Sequence, residues 1–166
     1  MPHKHLEVIL NKIVTTTELA HLRAVWRMKN EKIVFTNGCF DILHRGHIEY
    51  LAAAADLGTK LIIGVNSDQS VRKLKGESRP VNSFRDRALA LAALHFSSLV
   101  VEFEEDTPEK LIQKIGPDIL VKGGDYTKEK IAGADFVEKR GGEVVIISLV
   151  DGYSTTSFIS RLNERK

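Results

Sequence analysis

Two imidazoles one helical turn apart stand where a strand gives way to a helix, in His44-Arg45-Gly46-His47. They follow the apolar run Lys32-Ile33-Val34-Phe35-Thr36 and the turn Asn37-Gly38-Cys39-Phe40-Asp41, and they open a helical run at 48–57. A helix N-terminus presents unpaired N–H groups and a partial positive charge to an anion. Gly46 lets that anion approach the backbone closely. The two histidines add donors that can follow negative charge as it builds on a phosphate in transfer. A metal pair with Asp41 fits less well, because His-x-x-His departs from the i, i+4 helical spacing and no third strong ligand stands nearby. On spacing alone, a phosphate site and two surface histidines at a helix start account equally for the pattern.

Three further clusters carry polar chemistry. Ser67 to Pro80 follows the second strand-like run, is dominated by charged and small residues, and reads as a mobile loop. Its cations are either a solvated face or, through Lys73 and Lys75, a lid that closes on phosphates. Arg79-Pro80, then Arg85 on the next helix, are weaker candidates, and Arg85 and Arg87 read equally as solvent-facing helix charges. Val121-Lys122-Gly123-Gly124-Asp125-Tyr126 ends the fourth run, and its paired glycines suit either a tight turn or close ligand approach. Gly152-Tyr153-Ser154-Thr155-Thr156-Ser157 opens a last helix. Helix capping explains one of those hydroxyls but not three in a row, and an anion at the same N-terminus would use the others. Cys39 sits in the glycine-bearing turn, but a transfer onto an anionic phosphate needs no covalent step, so it reads as a small packed residue.

The elements that must position these groups alternate. Strands are expected at 32–36, 60–65, 98–103, 119–122 and 144–149, each a near-continuous apolar run of the kind buried on both faces. Helices are expected at 48–57, 83–95, 108–115, 131–140 and 155–163. This predicts an α/β fold, a Rossmann-like doubly wound sheet of five parallel strands. An extra N-terminal helix precedes it: Thr15-Thr16-Thr17-Glu18 has capping-box spacing, with Leu19, Leu22, Val25 and Trp26 at helical intervals. The chain reads as one domain over 1–166, with a helical extension at 1–30 and the core at 31–166. In open parallel sheets ligands bind at the carboxyl ends of the strands, and the His44–His47 loop falls at such an end.

Composition narrows the partners. Hydrophobic content of 43% and charged content of 28% suit a soluble globular chain, and a net charge of +2 gives no ground for nucleic-acid binding. One cysteine excludes an internal disulfide and, with no apolar leader or membrane-length run, points to the cytoplasm. An exposed Trp26 on the N-terminal helix suggests a homodimer or higher assembly.

The run from Thr36 to His47 resembles the signature of the cytidylyltransferase-like nucleotidylyltransferases, an aromatic-Asp followed by His-x-Gly-His after the first strand of a Rossmann-like sheet. Gly64-Val65-Asn66-Ser67-Asp68, Arg79-Pro80-Val81-Asn82, Val121 to Tyr126 and Gly152 to Thr156 narrow the resemblance to heptose 1-phosphate adenylyltransferases, over nearly the whole chain from Thr15. The resemblance implies an enzyme that moves AMP from ATP to D-glycero-D-manno-heptose 1-phosphate, for the lipopolysaccharide inner core, with Mg²⁺ accompanying the triphosphate. It implies a stand-alone form, without the sugar kinase some relatives carry.

By the same resemblance His44, His47, Lys73 and Lys75 act on the phosphates. Thr36, Asn37, Gly38, Phe40, Gly46, Gly123, Tyr153, Ser154, Thr155 and Thr156 hold the nucleotide. Asp41, Arg79, Lys122, Asp125 and Tyr126 hold the sugar phosphate. The family's Ser/Thr signature carries a cation three residues on; here that place is Ile159, and Arg161 lies two further. A cytidylyltransferase for polyol or choline phosphate would share the histidines and lysines, but has Arg-Thr-Glu-Gly where this chain has Leu149-Val150-Asp151-Gly152. A nucleotide-binding regulator without turnover is the other alternative.

Overall fold

Alternating apolar side chains along each strand feed two separate cores. In the computed structural model, which describes residues 4–124 and 126–148, six parallel strands form one sheet. They are β1 (Ile13–Val14), β2 (Ile33–Gly38), β3 (Lys60–Asn66), β4 (Leu99–Phe103), β5 (Ile119–Gly123) and β6 (Glu143–Ile147). Their order across the sheet is β1-β4-β3-β2-β5-β6. The helices are α1 (Lys4–Leu10), α2 (Thr16–Met28), α3 (Arg45–Ala55), α4 (Asp68–Lys75), α5 (Phe84–Ala92), α6 (Glu109–Ile115) and α7 (Ala134–Lys139).

Ile33 and Phe35 of β2 join Leu19 of α2, Leu111, Ile112 and Ile115 of α6 and Val137 of α7 on one face. Val34, between them in the strand, joins Tyr50, Leu51 and Ala54 of α3 and Ala88, Leu91 and Ala92 of α5 on the other. The period of two along the strand thus sends successive residues to opposite layers, and burying both faces accounts for the uninterrupted apolar runs.

The doubly wound α/β fold is as the sequence predicts, with one strand more. Ile13 and Val14 pair with Val100 and Val101 of β4 and add an edge strand to the expected five. A two-residue strand is too short to show any periodicity. The helix expected after Thr15 is present with a complete capping box: the Thr15 hydroxyl accepts from the Glu18 N–H, and the Glu18 carboxylate accepts from the Thr15 N–H at 2.7 Å. Its Trp26 is not the free surface residue the sequence suggests. It packs against the core beside Leu22, with the Lys60 ammonium 5.5 Å from its ring centre.

The larger correction concerns the loop expected at 67–80. Its first part is α4, capped by the Ser67 hydroxyl, which accepts from the Ser70 N–H, and anchored by the buried Val71. The charged outer face of a short helix with one apolar anchor reads like a loop in sequence. Gly76 ends it at φ 96°, a conformation open to glycine.

Successive strands β2, β3 and β4 run outward to one side of the sheet, whereas β5 lies on the other side of β2. The switch point therefore lies between the carboxyl ends of β2 and β5, at Gly38 and Gly123, where such sheets open a ligand crevice.

Candidate active site

The chain leaves β2 through Asn37 and Gly38, turns at Phe40 and enters α3 with His44 as its N-cap. Phe40 makes the turn at φ 47°, in the left-handed region, and its ring is buried. The strained turn is held by packing: the ring meets His47 edge-on with centroids 5.4 Å apart. His44 and His47 stack, with ring centroids 3.8 Å apart and planes 20° from parallel. One helical turn separates them, so both imidazoles face the same side of the N-terminus of α3.

Burial pushes the His47 imidazole down to about 4, with the neighbouring His44 and the Lys75 ammonium adding to it and the Ile42 backbone pulling back. Burial also lowers His44. Two stacked imidazolium ions would repel, and the site keeps the pair neutral near pH 7. Neutral imidazoles each retain one N–H donor, and an incoming polyanion would draw protons to them.

Tyr50, one turn beyond His47, locks α3 onto the sheet. Its hydroxyl lies 2.5 Å from Thr36 Oγ1 and donates to the Val121 carbonyl at 3.4 Å, spanning β2 and β5. Burial raises the phenol to about 12. The Thr36 side chain is thus fully buried and occupied by Tyr50, which leaves the backbone at 36–40 as its contribution to a phosphate cradle.

Asp41 and Arg79, both expected to meet the sugar phosphate, meet each other at 2.5 Å. The Asp41 carboxylate also accepts N–H bonds from Val81 at 2.8 Å and Asn82 at 3.0 Å. These bonds and Arg79 hold its carboxyl below the usual range against its burial, which acts the other way. Asp41 fastens the 79–82 segment beneath the histidine loop, and only Arg79 Nη2 of this ion pair is buried without a partner.

Lys122, at the end of β5, donates to Asn37 Oδ1 at 3.1 Å and lies 5.8 Å from the Tyr126 ring centre. Burial lowers its ammonium. Asn37, Lys122, Gly123 and Tyr126 therefore gather at the switch point, at the ends of β2 and β5. Asp125, Tyr153, Ser154, Thr155, Thr156, Ile159 and Arg161 lie outside the described residues.

The two lysines of α4 part company. Residues two apart on a helix point about 200° from one another, so α4 starts Lys73 and Lys75 on different faces, as a loop need not. Lys75 acts electrostatically on His47 and on Cys39. Lys73 instead faces Asp106 at 3.8 Å, with both side chains exposed. Cys39 itself is pushed up by burial, away from thiolate character.

The residue that sequence reasoning missed is Arg87. Its side chain is fully buried. It donates to the carbonyls of Cys39 at 2.6 Å, Asn66 at 2.8 Å and Asn82 at 3.1 Å, and to Asp68 Oδ1 at 2.7 Å. One guanidinium thus ties the histidine loop, the end of β3, the start of α4 and the 79–82 segment. Its i, i+4 spacing to the buried Leu91 is the available signal.

The profile described as Cytidylyltransferase-like matches residues 35–161, from β2 through the last helix expected from sequence. The chain belongs to this family. Among curated members, "Bifunctional protein HldE" of Rhodopseudomonas palustris (strain HaA2) is 51% identical over 164 residues, covering 99% of this chain and 34% of the relative. That of Salmonella arizonae is 53% identical over 150 residues, covering 90% and 31%. The chain thus spans about a third of the curated relatives it matches. Among solved structures, the lipopolysaccharide core biosynthesis protein from Thermoplasma volcanium GSS1 aligns with a TM-score of 0.59 at 28% identity, covering 75% of this chain and 99% of that one. Among the described residues no helix is long and apolar enough to cross a membrane.

Proposed function

We propose that this chain is an adenylyltransferase that moves AMP from ATP to D-glycero-D-manno-heptose 1-phosphate, releasing pyrophosphate and forming ADP-heptose for the lipopolysaccharide inner core. The stacked, neutral His44–His47 pair at the α3 N-terminus is the observation that carries the reaction type. Identity of about 50% to HldE relatives along nearly the whole chain supports the substrate.

A phosphate monoester is an anionic nucleophile at neutral pH, so its oxygen attacks the α-phosphorus in line without a strong base. The bond to the bridging oxygen breaks, and pyrophosphate leaves with that oxygen. The chain's part is positioning and charge stabilisation. His44 and His47 donate to the α- and β-phosphates, and Lys75 closes on the leaving group. The backbone at 36–40 cradles the phosphates, Lys122 and Tyr126 meet the acceptor, and the hydroxyls of 154–156 hold the far end of the triphosphate.

Among the described residues no group of three or more histidine, cysteine or acidic side chains is placed to hold a metal. Asp41, the carboxylate in the turn before the histidines, is occupied by Arg79 and two N–H groups. Mg²⁺ in this proposal enters as part of the substrate, bound to triphosphate oxygens.

The test is pyrophosphate release by the purified chain with Mg²⁺ and either ATP or CTP. The acceptors are both anomers of heptose 1-phosphate, mannose 1-phosphate, glycerol 3-phosphate and phosphocholine. Release with ATP and heptose 1-phosphate is expected. Release only with CTP and glycerol 3-phosphate or phosphocholine would overturn the substrate and keep the fold. Nucleotide binding without release from any pair would overturn the enzyme reading.

A further inference from the structure

The amino-terminal edge of the sheet, opposite the histidines, carries a second concentration of cations. Arg23 and Arg27 of α2 and Arg140 after α7 line a cavity of about 300 Å³ together with Gly116, Asp118 and Gly142. Arg27 is already served: its Nη1 pairs with Asp118 Oδ1 at 2.6 Å and its Nη2 donates to the Gly116 carbonyl. The other Asp118 oxygen accepts from the Ile33 N–H at 2.7 Å. Among the described residues Asp118 is the only acidic side chain in the lining, so Arg23 and Arg140 face the cavity without a carboxylate between them.

Geometry aims them at one point. A Cβ placed on Gly116 would lie 3.2 Å from Arg23 Nη2 and 3.4 Å from Arg140 Nη2. Gly116 sits there at φ 54°, the left-handed C-cap of α6, so the space between the two guanidinium tips is kept clear by a residue that backbone conformation already favours as glycine. Arg23 Nε is buried with no hydrogen-bond partner, an uncommon state for a buried charged donor. Burial lowers the Arg23 guanidinium, and repulsion from Arg27 and Arg140 adds to it. Among the described residues three arginines and one aspartate line the cavity, which leaves two positive charges over.

We propose that this arginine pocket is a second anion site, separate from the active site, that takes a phosphate dianion, either free inorganic phosphate or the phosphate of a monoester. Two uncompensated guanidinium forks match a dianion in charge, and planar forks pair with phosphate oxygens two at a time. The cavity is at the lower end of the range for small-ligand sites, which suits a compact group. Occupation would tie α2 to the segments before β5 and β6, so the pocket acts on stability from the far side of the sheet.

The test is thermal unfolding of the full chain at constant ionic strength, with chloride exchanged for inorganic phosphate or for glycerol 2-phosphate. A rise in midpoint of about 2–4 °C is expected. The Arg23→Gln/Arg140→Gln double variant should lose it, and His47→Ala, altered only at the opposite edge, should keep it. Should the double variant fail to fold, Arg140→Gln alone should weaken phosphate about tenfold in titration calorimetry. Either probe binding more tightly supports the site and says which source fits it. A rise that survives the double variant, vanishes in His47→Ala or never occurs overturns the proposal. So does a concentration-dependent self-association that Arg23→Gln abolishes while phosphate has no effect. None of these outcomes depends on turnover, so the site stands or falls apart from the proposed reaction.

Discussion

The two edges of the sheet handle positive charge in opposite ways. At the carboxyl edge the cations are mostly committed: Arg87 to three carbonyls and Asp68, Arg79 to Asp41, Lys122 to Asn37. What faces the crevice there is a neutral imidazole pair on a helix N-terminus. At the amino edge, three guanidiniums share one aspartate. A catalytic site must bind charge as it develops and then release product, and neutral donors on a rigid frame suit that better than fixed charges. Fixed charges suit an anion that stays.

Four experiments would break or sharpen that contrast. The largest effect is expected at Arg87. Arg87→Met leaves three carbonyls and the Asp68 carboxylate without their donor, and stability should fall by about 3–5 kcal/mol in chemical denaturation. Arg87→Lys keeps the charge but not the fork and should recover only part of it. A loss below about 1 kcal/mol would show that the clamp is ornamental.

Next comes the histidine pair. His47→Ala should lower turnover about 10²–10³-fold with the fold intact by circular dichroism, whereas Arg23→Gln should leave turnover unchanged. Equal losses from both edges would erase the distinction between them.

The lysines of α4 provide a finer contrast. Lys75→Ala should lower kcat/KM about tenfold or more, the worth of a charge-assisted hydrogen bond to phosphate. Lys73→Ala removes only an exposed ion pair worth about 0–1 kcal/mol and should change kcat/KM far less. A reversed order would mean that α4 turns when nucleotide binds.

The fourth test is in pH. His47 is depressed to about 4 in the folded chain against about 6.5 when unfolded. The unfolded chain therefore takes up the proton first, and the contribution to stability is complete above about pH 6.5 and lost progressively as pH falls toward 4. Denaturation midpoints across that window should decline, and His47→Gln should flatten the decline. An unchanged slope in the variant would place the titration elsewhere.

Much of this architecture is legible in the chain. Apolar strand runs mark the sheet within a residue or two at β3, β4 and β5, and Thr15 and Glu18 mark the start of α2. The turn at 37–41 and the two histidines point to the carboxyl edge by residue type and spacing alone. What stays hidden has physical causes. The two residues of β1 hold too little pattern, and α4 has too few apolar residues to declare itself. Arg87 reads as solvent-facing because only the tertiary fold supplies carbonyls for it. Asp41 and Arg79 read as ligands because their pairing depends on two segments 38 residues apart meeting. Lys73 and Lys75 look equivalent until a helix separates them.

The short pairing of Ile13 and Val14 with β4 has a consequence outside catalysis. A sheet edge is a row of open N–H and C=O groups that invites another chain to add itself. Strand β4 is Leu99-Val100-Val101-Glu102-Phe103, apolar at four positions of five. Beyond the two β1 pairings, the Val100 N–H donates to the Lys12 carbonyl at 2.8 Å. The first residues of the chain thus cover the middle of that edge, and the exposed Glu102 guards the part they leave open. Two residues too few to register as a strand in the sequence thus shorten the open part of the apolar strand behind them.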